Sequence, residues 1–294
     1  MGWNKCNIVL NSPESYFYTN NIVSGTVTLE SKSKRKLKDI YLVVKGTSKA
    51  AWSRSAPTMP YIRVYTGKEK VFELQIDIFK ELKGHKVKPG SISSQFHFIL
   101  PPDLPSTYED SVAKIYYHII LKEKEQQIIK IPITVISYVN LNHLQEYKVP
   151  TIYDMTKVCR FSEEVVVFLR TYKSFAPQQF VPFEAIISNE KNVTITKIVV
   201  KLIQKLEYNV SSGFYNAEKT VCKSEHLDIK NVARQTCTFG MNVPKVIPSA
   251  LNDYNHMVKS SYLLRVKISF RFHFPLYSDI PVVVTSIPVE HEMF

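Results

Sequence analysis

The stretch FYTNNIVSGTVTL, Phe17–Leu29, decides how this chain is read, because it returns 158 residues later as FAPQQFVPFEAII, Phe175–Ile187. Each copy sets a turn pair, Asn20-Asn21 or Gln178-Gln179, ahead of an alternating apolar run. The same offset holds without a gap into the next run: Leu37 falls on Ile195, Ile40 on Ile198, Leu42 on Val200 and Val44 on Leu202. Both copies read as turn, strand, polar hairpin, strand. A repeat of this length implies two related domains of about 140 residues each, an ordinary domain size.

Outward from the repeat the period stays at two. Ile40, Leu42 and Val44 alternate with Tyr41, Val43 and Lys45, and Val266, Ile268, Phe270, Phe272 and Phe274 alternate with Lys267, Ser269, Arg271 and His273. Turn clusters such as Lys88-Pro89-Gly90 and Ser188-Asn189-Glu190 separate the runs, and little shows helical periodicity beyond one turn at Phe79–Leu82. Leu104–Lys122, LPSTYEDSVAKIYYHIILK, begins as a proline-bounded loop and becomes a strand with Ile115, Tyr117 and Ile119 on one side and Tyr116, His118 and Ile120 on the other. The expected class is all-β: two tandem β-sandwiches, 1–139 and 154–294, joined by a connector at 140–153.

Composition bounds the function. At 294 residues and 45% hydrophobic the chain can fill two cores, yet no apolar run nears the roughly 20 residues of a membrane span. The opening MGWNKCNIVLNSPES lacks an apolar signal block, so a cytoplasmic protein is expected. Cys6, Cys159, Cys222 and Cys237 are widely spaced without a C-x-x-C pair, which reads as reduced thiols. Lys and Arg outnumber Asp and Glu by 38 to 26, a net +12 that points to an anionic partner.

Catalytic patterns are missing. The eight glycines form no phosphate-cradling loop, so no nucleotide cofactor is expected. Cys222-x-x-x-His226 with Cys237 is better read as a strand-and-loop coincidence than as a metal site. Neighbouring acids such as Glu163-Glu164 and Glu109-Asp110 point to opposite faces of a strand, which suits solvation rather than acid/base work. The chain is expected not to be an enzyme.

The densest charge is SKSKRKLKD, with Lys32, Lys34, Arg35, Lys36 and Lys38 in the hairpin between two strands. Such a turn keeps an edge soluble, or it touches anionic lipid or phosphorylated cargo. At about 1 kcal/mol per basic residue the five would supply at most ~5 kcal/mol, a sub-millimolar affinity, so recruitment would need a simultaneous cargo contact. The charge is spread over both domains and no RNP, zinc-finger or basic-helix pattern occurs, so no nucleic-acid partner is expected.

Several segments together, SYFYTNNIVSGTVTLES, DIYLVVKGTSKAAW, LPSTYED with KIYYHIILK, ITVISYVNLN, FAPQQFVPFEAIISN, IPSALNDYNHMVKSSYLLRVKI and SDIPVVVTSIPV, resemble the arrestin family, and the α-arrestins within it, in the same order over nearly the whole chain. That resemblance implies two immunoglobulin-like, arrestin-type sandwiches. It also implies a non-enzymatic adaptor that binds cytoplasmic tails of membrane proteins and directs endocytic and endosomal trafficking and ubiquitination. The alternative is a retromer-like scaffold subunit of a sorting coat without a ligase. Localisation would be cytoplasmic, peripheral at plasma membrane or endosomes. Lys5 stands where arrestins carry a phosphate-sensing cation on the first strand.

Three departures qualify the resemblance. The chain ends at EHEMF without an acidic tail, so a self-inhibiting switch is not expected. Ile115-Tyr116-Tyr117 replaces the Ile-Arg-Tyr usual in α-arrestins. The ligase-binding P-P-x-Y motif is absent: Pro101-Pro102-Asp103-Leu104 lacks the Tyr, and Pro57-Thr58-Met59-Pro60-Tyr61 lacks the adjacent prolines. Either a tail that carries the motif has been removed, or this is a short member that reaches a ubiquitin ligase indirectly, through another arrestin, or acts as a scaffold. Some relatives bind thioredoxin through a cysteine, a role that none of Cys159, Cys222 and Cys237 can be given from sequence.

Overall fold

The structure, a computed structural model, describes residues 3–12, 14, 16–55, 61–158, 164–251 and 256–293. Cys159, Glu163 and the proline pair Pro57 and Pro60 lie outside the described residues. The chain divides into two compact units. One is Met1–Tyr138 with Tyr208–Phe214 and Asn252–Val258, and the other is Val139–Glu207 with Tyr215–Leu251 and Lys259–Phe294.

The first unit runs β1 (Lys5–Leu10), β2 (Tyr16–Tyr18), β3 (Ile22–Ser31), β4 (Arg35–Lys36), β5 (Ile40–Arg54), β6 (Arg63–Asp77), a 3-10 turn (Lys80–Leu82), β7 (Lys86–Val87), β8 (Gly90–Ile99), β9 (Tyr108–Glu109), β10 (Ala113–Glu123) and β11 (Gln126–Ile136). One sheet is β1-β3-β8, the other is β2-β11-β10-β5-β6 with β9 on β10, and β4-β7 is a separate two-stranded ribbon. The second unit opens with a one-turn helix (Gln145–Lys148). It continues with β12 (Thr151–Val158), β13 (Glu164–Thr171), β14 (Ser174–Phe175), β15 (Phe180–Ser188), β16 (Ile195–Val210), β17 (Gly213–His226), β18 (Arg234–Asn242), β19 (Val258–Phe270) and β20 (His273–Val284). Its sheets are β12-β13-β15-β18 and β14-β20-β19-β16-β17. β12 thus begins inside the stretch read as connector.

The repeat is visible in pairing, backbone conformation and burial. Phe17 and Phe175 lie on short strands that run parallel to the last long strand of their own unit, opposite Val135 and Val284. Asn20 and Gln178 both take the left-handed conformation, φ 64 and 67, which Asn tolerates and Gln rarely adopts. Burial of alternate residues then follows in both copies: Val23, Val27 and Leu29 in one, Val181, Phe183, Ala185 and Ile187 in the other. In the second unit these join Val200, Leu202, Leu264, Val266 and Ile268 from the facing sheet in one core.

Two expectations are corrected. Lys32–Lys38 is not a hairpin: β3 and β5 belong to different sheets, and the segment between them crosses over while β4 pairs with the distant β7. The alternation from Val266 to Phe274 also breaks. The strand turns at Arg271-Phe272, with Phe270 opposite His273, and leaves Phe272 92% and Phe274 85% exposed. Phe272 sits at φ 64, and two-residue hairpin loops normally signal such a turn with Gly or Asn. Arg-Phe carries no such signal, so period two reads straight through it.

Leu104–Lys122 takes the expected form. Ala113, Ile115, Tyr117, Ile119 and Leu121 are buried at alternate positions of β10. Tyr117 lies opposite Gly46 on β5, its ring where a Cβ at Gly46 would come within 2.5 Å, and its hydroxyl donates to the Pro105 carbonyl at 2.6 Å. Asp110 fastens the loop ahead of the strand. Its carboxylate accepts the Val112 and Ala113 amides at 2.8 and 2.7 Å, the Tyr108 hydroxyl at 2.6 Å and the Tyr208 hydroxyl. Burial pushes the Asp110 carboxyl up, but these hydrogen bonds outweigh it and hold the group below the usual carboxylate range.

Candidate anion-binding surface

Three segments far apart in sequence meet at one end of the first unit. β4 lies antiparallel to β7, Arg35 opposite Val87 and Lys36 opposite Lys86. Leu37, 2% exposed, roots the crossover: its amide donates to the His85 carbonyl at 2.9 Å and its carbonyl accepts the Gly84 amide at 3.0 Å. The β10–β11 turn joins through the Lys124 amide, which donates to the Asp39 carbonyl at 2.8 Å, and through the Lys124 carbonyl, which accepts the Tyr41 hydroxyl at 2.5 Å. Residues 31–39, 80–90 and 122–126 carry eleven lysines and arginines against four carboxylates, which is seven of the chain's net twelve positive charges. Folding therefore concentrates a charge that reads as dispersed along the chain.

The six residues singled out from sequence fare differently. Lys32, Lys34, Lys36 and Lys38 are exposed, and among the described residues none of them is in ion-pair contact with a carboxylate. Arg35 is committed to the fold: its guanidinium grips both Glu123 carboxylate oxygens at 2.8 and 3.0 Å and lies 4.1 Å over the Trp3 ring. The pair is 14% and 12% exposed, so Arg35 has little left to offer an outside anion. Lys5 is exposed at the start of β1, opposite Glu30. The neighbouring Asn4 accepts the Lys32 amide at 2.8 Å, which brings Lys5 to the margin of the same surface.

Sequence reasoning missed the second half of the surface. Lys80, Lys83, Lys86 and Lys88 are exposed on the β6–β8 connection, and Lys124 on the β10–β11 turn. Their spacing in sequence is unremarkable, and only the β4–β7 pairing places them beside Lys32–Lys38. Lys83 is tied to Asp39 at 2.5 Å. Beneath them lies a cavity of about 500 Å³, lined by Lys38, Lys80, Lys83 and Lys124 with Asp77 and Glu125. Two of its lining residues, Phe79 and Lys124, hold left-handed φ of 55 and 53. For a bulky residue such as Phe79 this is a strained state, kept by surrounding structure; its side chain, 7% exposed, is pinned in the core.

The arrangement suits electrostatic docking rather than bond chemistry. Long flexible ammonium groups around a mixed-charge hollow attract a diffuse anionic surface, and none presents a nucleophile beside a base. Among the described residues no helix is long and apolar enough to cross a membrane.

Comparison with known proteins accords with this architecture. A family model described as the N-terminal domain of arrestin, or S-antigen, matches residues 6–142, and its C-terminal counterpart matches residues 171–289. The chain belongs to the arrestin family. It is similar to arrestin domain-containing protein 1 of Rattus norvegicus, with 21% identity over 190 residues, which supports an α-arrestin type. That match covers 61% of this arrestin chain and 43% of the rat protein, so the chain spans less than half of that relative's length.

Proposed function

We propose that this arrestin-family chain is a non-catalytic adaptor. It binds cytoplasmic segments of membrane proteins, directs their endocytic and endosomal trafficking and ubiquitination, and rests its basic end on the anionic cytoplasmic leaflet. The observation that carries the reading is the assembly of seven net charges at one end of an arrestin N-terminal sandwich. Eight exposed lysines there (32, 34, 36, 38, 80, 86, 88 and 124) give a ceiling of about 8 kcal/mol at roughly 1 kcal/mol each. Repulsion of Glu81 and Glu125 lowers this to about 6, a Kd in the tens of micromolar before salt screening. The contact is thus stronger than Lys32–Lys38 could make alone, and still weak enough to need cargo for stable residence.

Crosslinked affinity capture from the protein's own cells tests the reading. Membrane-protein cargo recovered with a ubiquitin ligase or another arrestin supports the adaptor. Stoichiometric sorting-coat subunits without a ligase mean a retromer-like scaffold instead, and nucleic-acid complexes without membrane proteins overturn both.

A further inference from the structure

On the outer face of the six-stranded sheet, Lys114 of β10 lies directly opposite Lys49 of β5, and Lys49 directly opposite Lys68 of β6. All three are exposed, and directly opposed residues share a face with side chains about 5 Å apart. Like charges so placed destabilise a sheet. Lysines on an edge strand ward off pairing with other chains, and that accounts for Lys68, since β6 is terminal in the sheet. It does not account for Lys49, whose strand lies inside the sheet; Lys114 has Glu109 of β9 directly opposite on its other side.

The same face carries Lys45 and Lys70, both near Glu73 at 3.9 and 3.3 Å, and Lys130 opposite Ile120. Lys114 also reaches Glu109 at 2.7 Å. Tyr116 stands among the lysines, with the Lys49 ammonium 5.7 Å from its ring and His118 edge-on at 5.2 Å. From Lys114 the strip runs up β10 to Lys122, about 26 Å at 3.3 Å per residue, where it meets the basic end already described.

We infer that this lysine row is a second membrane contact, so that the outer face of the first unit's six-stranded sheet lies along an anionic bilayer and the basic end is one margin of that footprint. The face carries charge opposite in sign to an anionic leaflet, and Tyr116 offers the amphipathic ring suited to a wet interface. The inference rests on the membrane reading proposed above but draws on different residues, so the two can fail separately.

The test is sedimentation of the full chain with vesicles of 70:30 phosphatidylcholine:phosphatidylserine and of phosphatidylcholine alone. It compares wild type, a row variant (Lys49→Gln, Lys68→Gln, Lys114→Gln) and an end variant (Lys34→Gln, Lys36→Gln, Lys86→Gln, Lys88→Gln). At about fivefold per lysine, the row variant is expected to lose roughly 100-fold in partitioning onto the anionic vesicles. Its melting temperature at low salt is expected to stay near that of wild type, because relief of the opposed charges is set against loss of the Lys114–Glu109 ion pair. That near-constancy verifies folding, so a loss of binding reads as a loss of contact. Unchanged vesicle binding by the row variant, with loss by the end variant, overturns the inference and leaves the basic end standing. Loss by the row variant alone sustains the inference against the basic end. No binding by wild type overturns both, as does a polyglutamate peptide or RNA titrating the row while vesicles do not.

Discussion

Replacing Arg35 by Gln separates a structural arginine from the docking lysines around it. The substitution leaves Glu123 in a setting where both partners are 14% and 12% exposed. Losing one member of a fully buried pair costs about 3–5 kcal/mol and of a surface pair about 0–1. A pair touched by some solvent falls between, at about 2. The guanidinium 4.1 Å from the Trp3 ring adds about 1 kcal/mol of cation–π attraction, for a total near 3. A domain of this size melts about 3 °C lower per kcal/mol, so thermal unfolding followed by circular dichroism is expected to show a drop near 10 °C. Anionic-vesicle binding well below the transition should stay within twofold of wild type. Glu123→Gln should destabilise comparably, and the double variant less than the sum of the singles. An Arg35→Gln protein that melts within 2 °C of wild type while losing vesicle binding like the lysine variants would refute the reasoning and return Arg35 to the docking surface.

Gly46→Val drives a side chain into the Tyr117 ring, which a Cβ already meets at 2.5 Å; overpacking of this kind should cost about 2–3 kcal/mol in urea unfolding. Asp110→Asn should cost about 1–2 kcal/mol at pH 7 by weakening the loop's hydrogen bonds. Because the Asp110 carboxyl is held below its ordinary value, its stabilisation is full above the unfolded-state value and fades as pH falls through the lower folded-state one. The wild-type advantage measured from pH 7 down to pH 2 should therefore shrink only below the usual carboxylate range, and an advantage independent of pH would contradict the assignment. Phe272→Asn places a residue that tolerates the left-handed region where φ is 64; it should raise stability by about 0.5–1 kcal/mol, read as a higher melting temperature.

Much of the fold was legible because the repeat supplies its own control. Phe17 and Phe175, or Leu42 and Val200, must occupy equivalent places whatever those places are, and alternation then assigns their faces. Legibility ends where tertiary pairing overrides local pattern. Nothing in SKSKRKLKD separates a hairpin from a crossover, since the partner of β4 lies some fifty residues away on β7. Arg35 looks like its lysine neighbours in sequence and is set apart only by Glu123 and Trp3. Lys114, Lys49 and Lys68 form a row solely through strand register, a property of three strands jointly. The turn at Arg271-Phe272 escaped for a local reason: its strained conformation is held by residues that do not advertise it.

The most direct test of the claim that folding assembles one docking surface from separate loops is to neutralise each loop alone. Lys34→Gln with Lys36→Gln and Lys38→Gln, and Lys80→Gln with Lys86→Gln and Lys88→Gln, are compared on vesicles containing 30% phosphatidylserine. The account predicts similar losses of about 100-fold from the two triple variants, each fading as salt rises. Loss from the first loop with none from the second would contradict it.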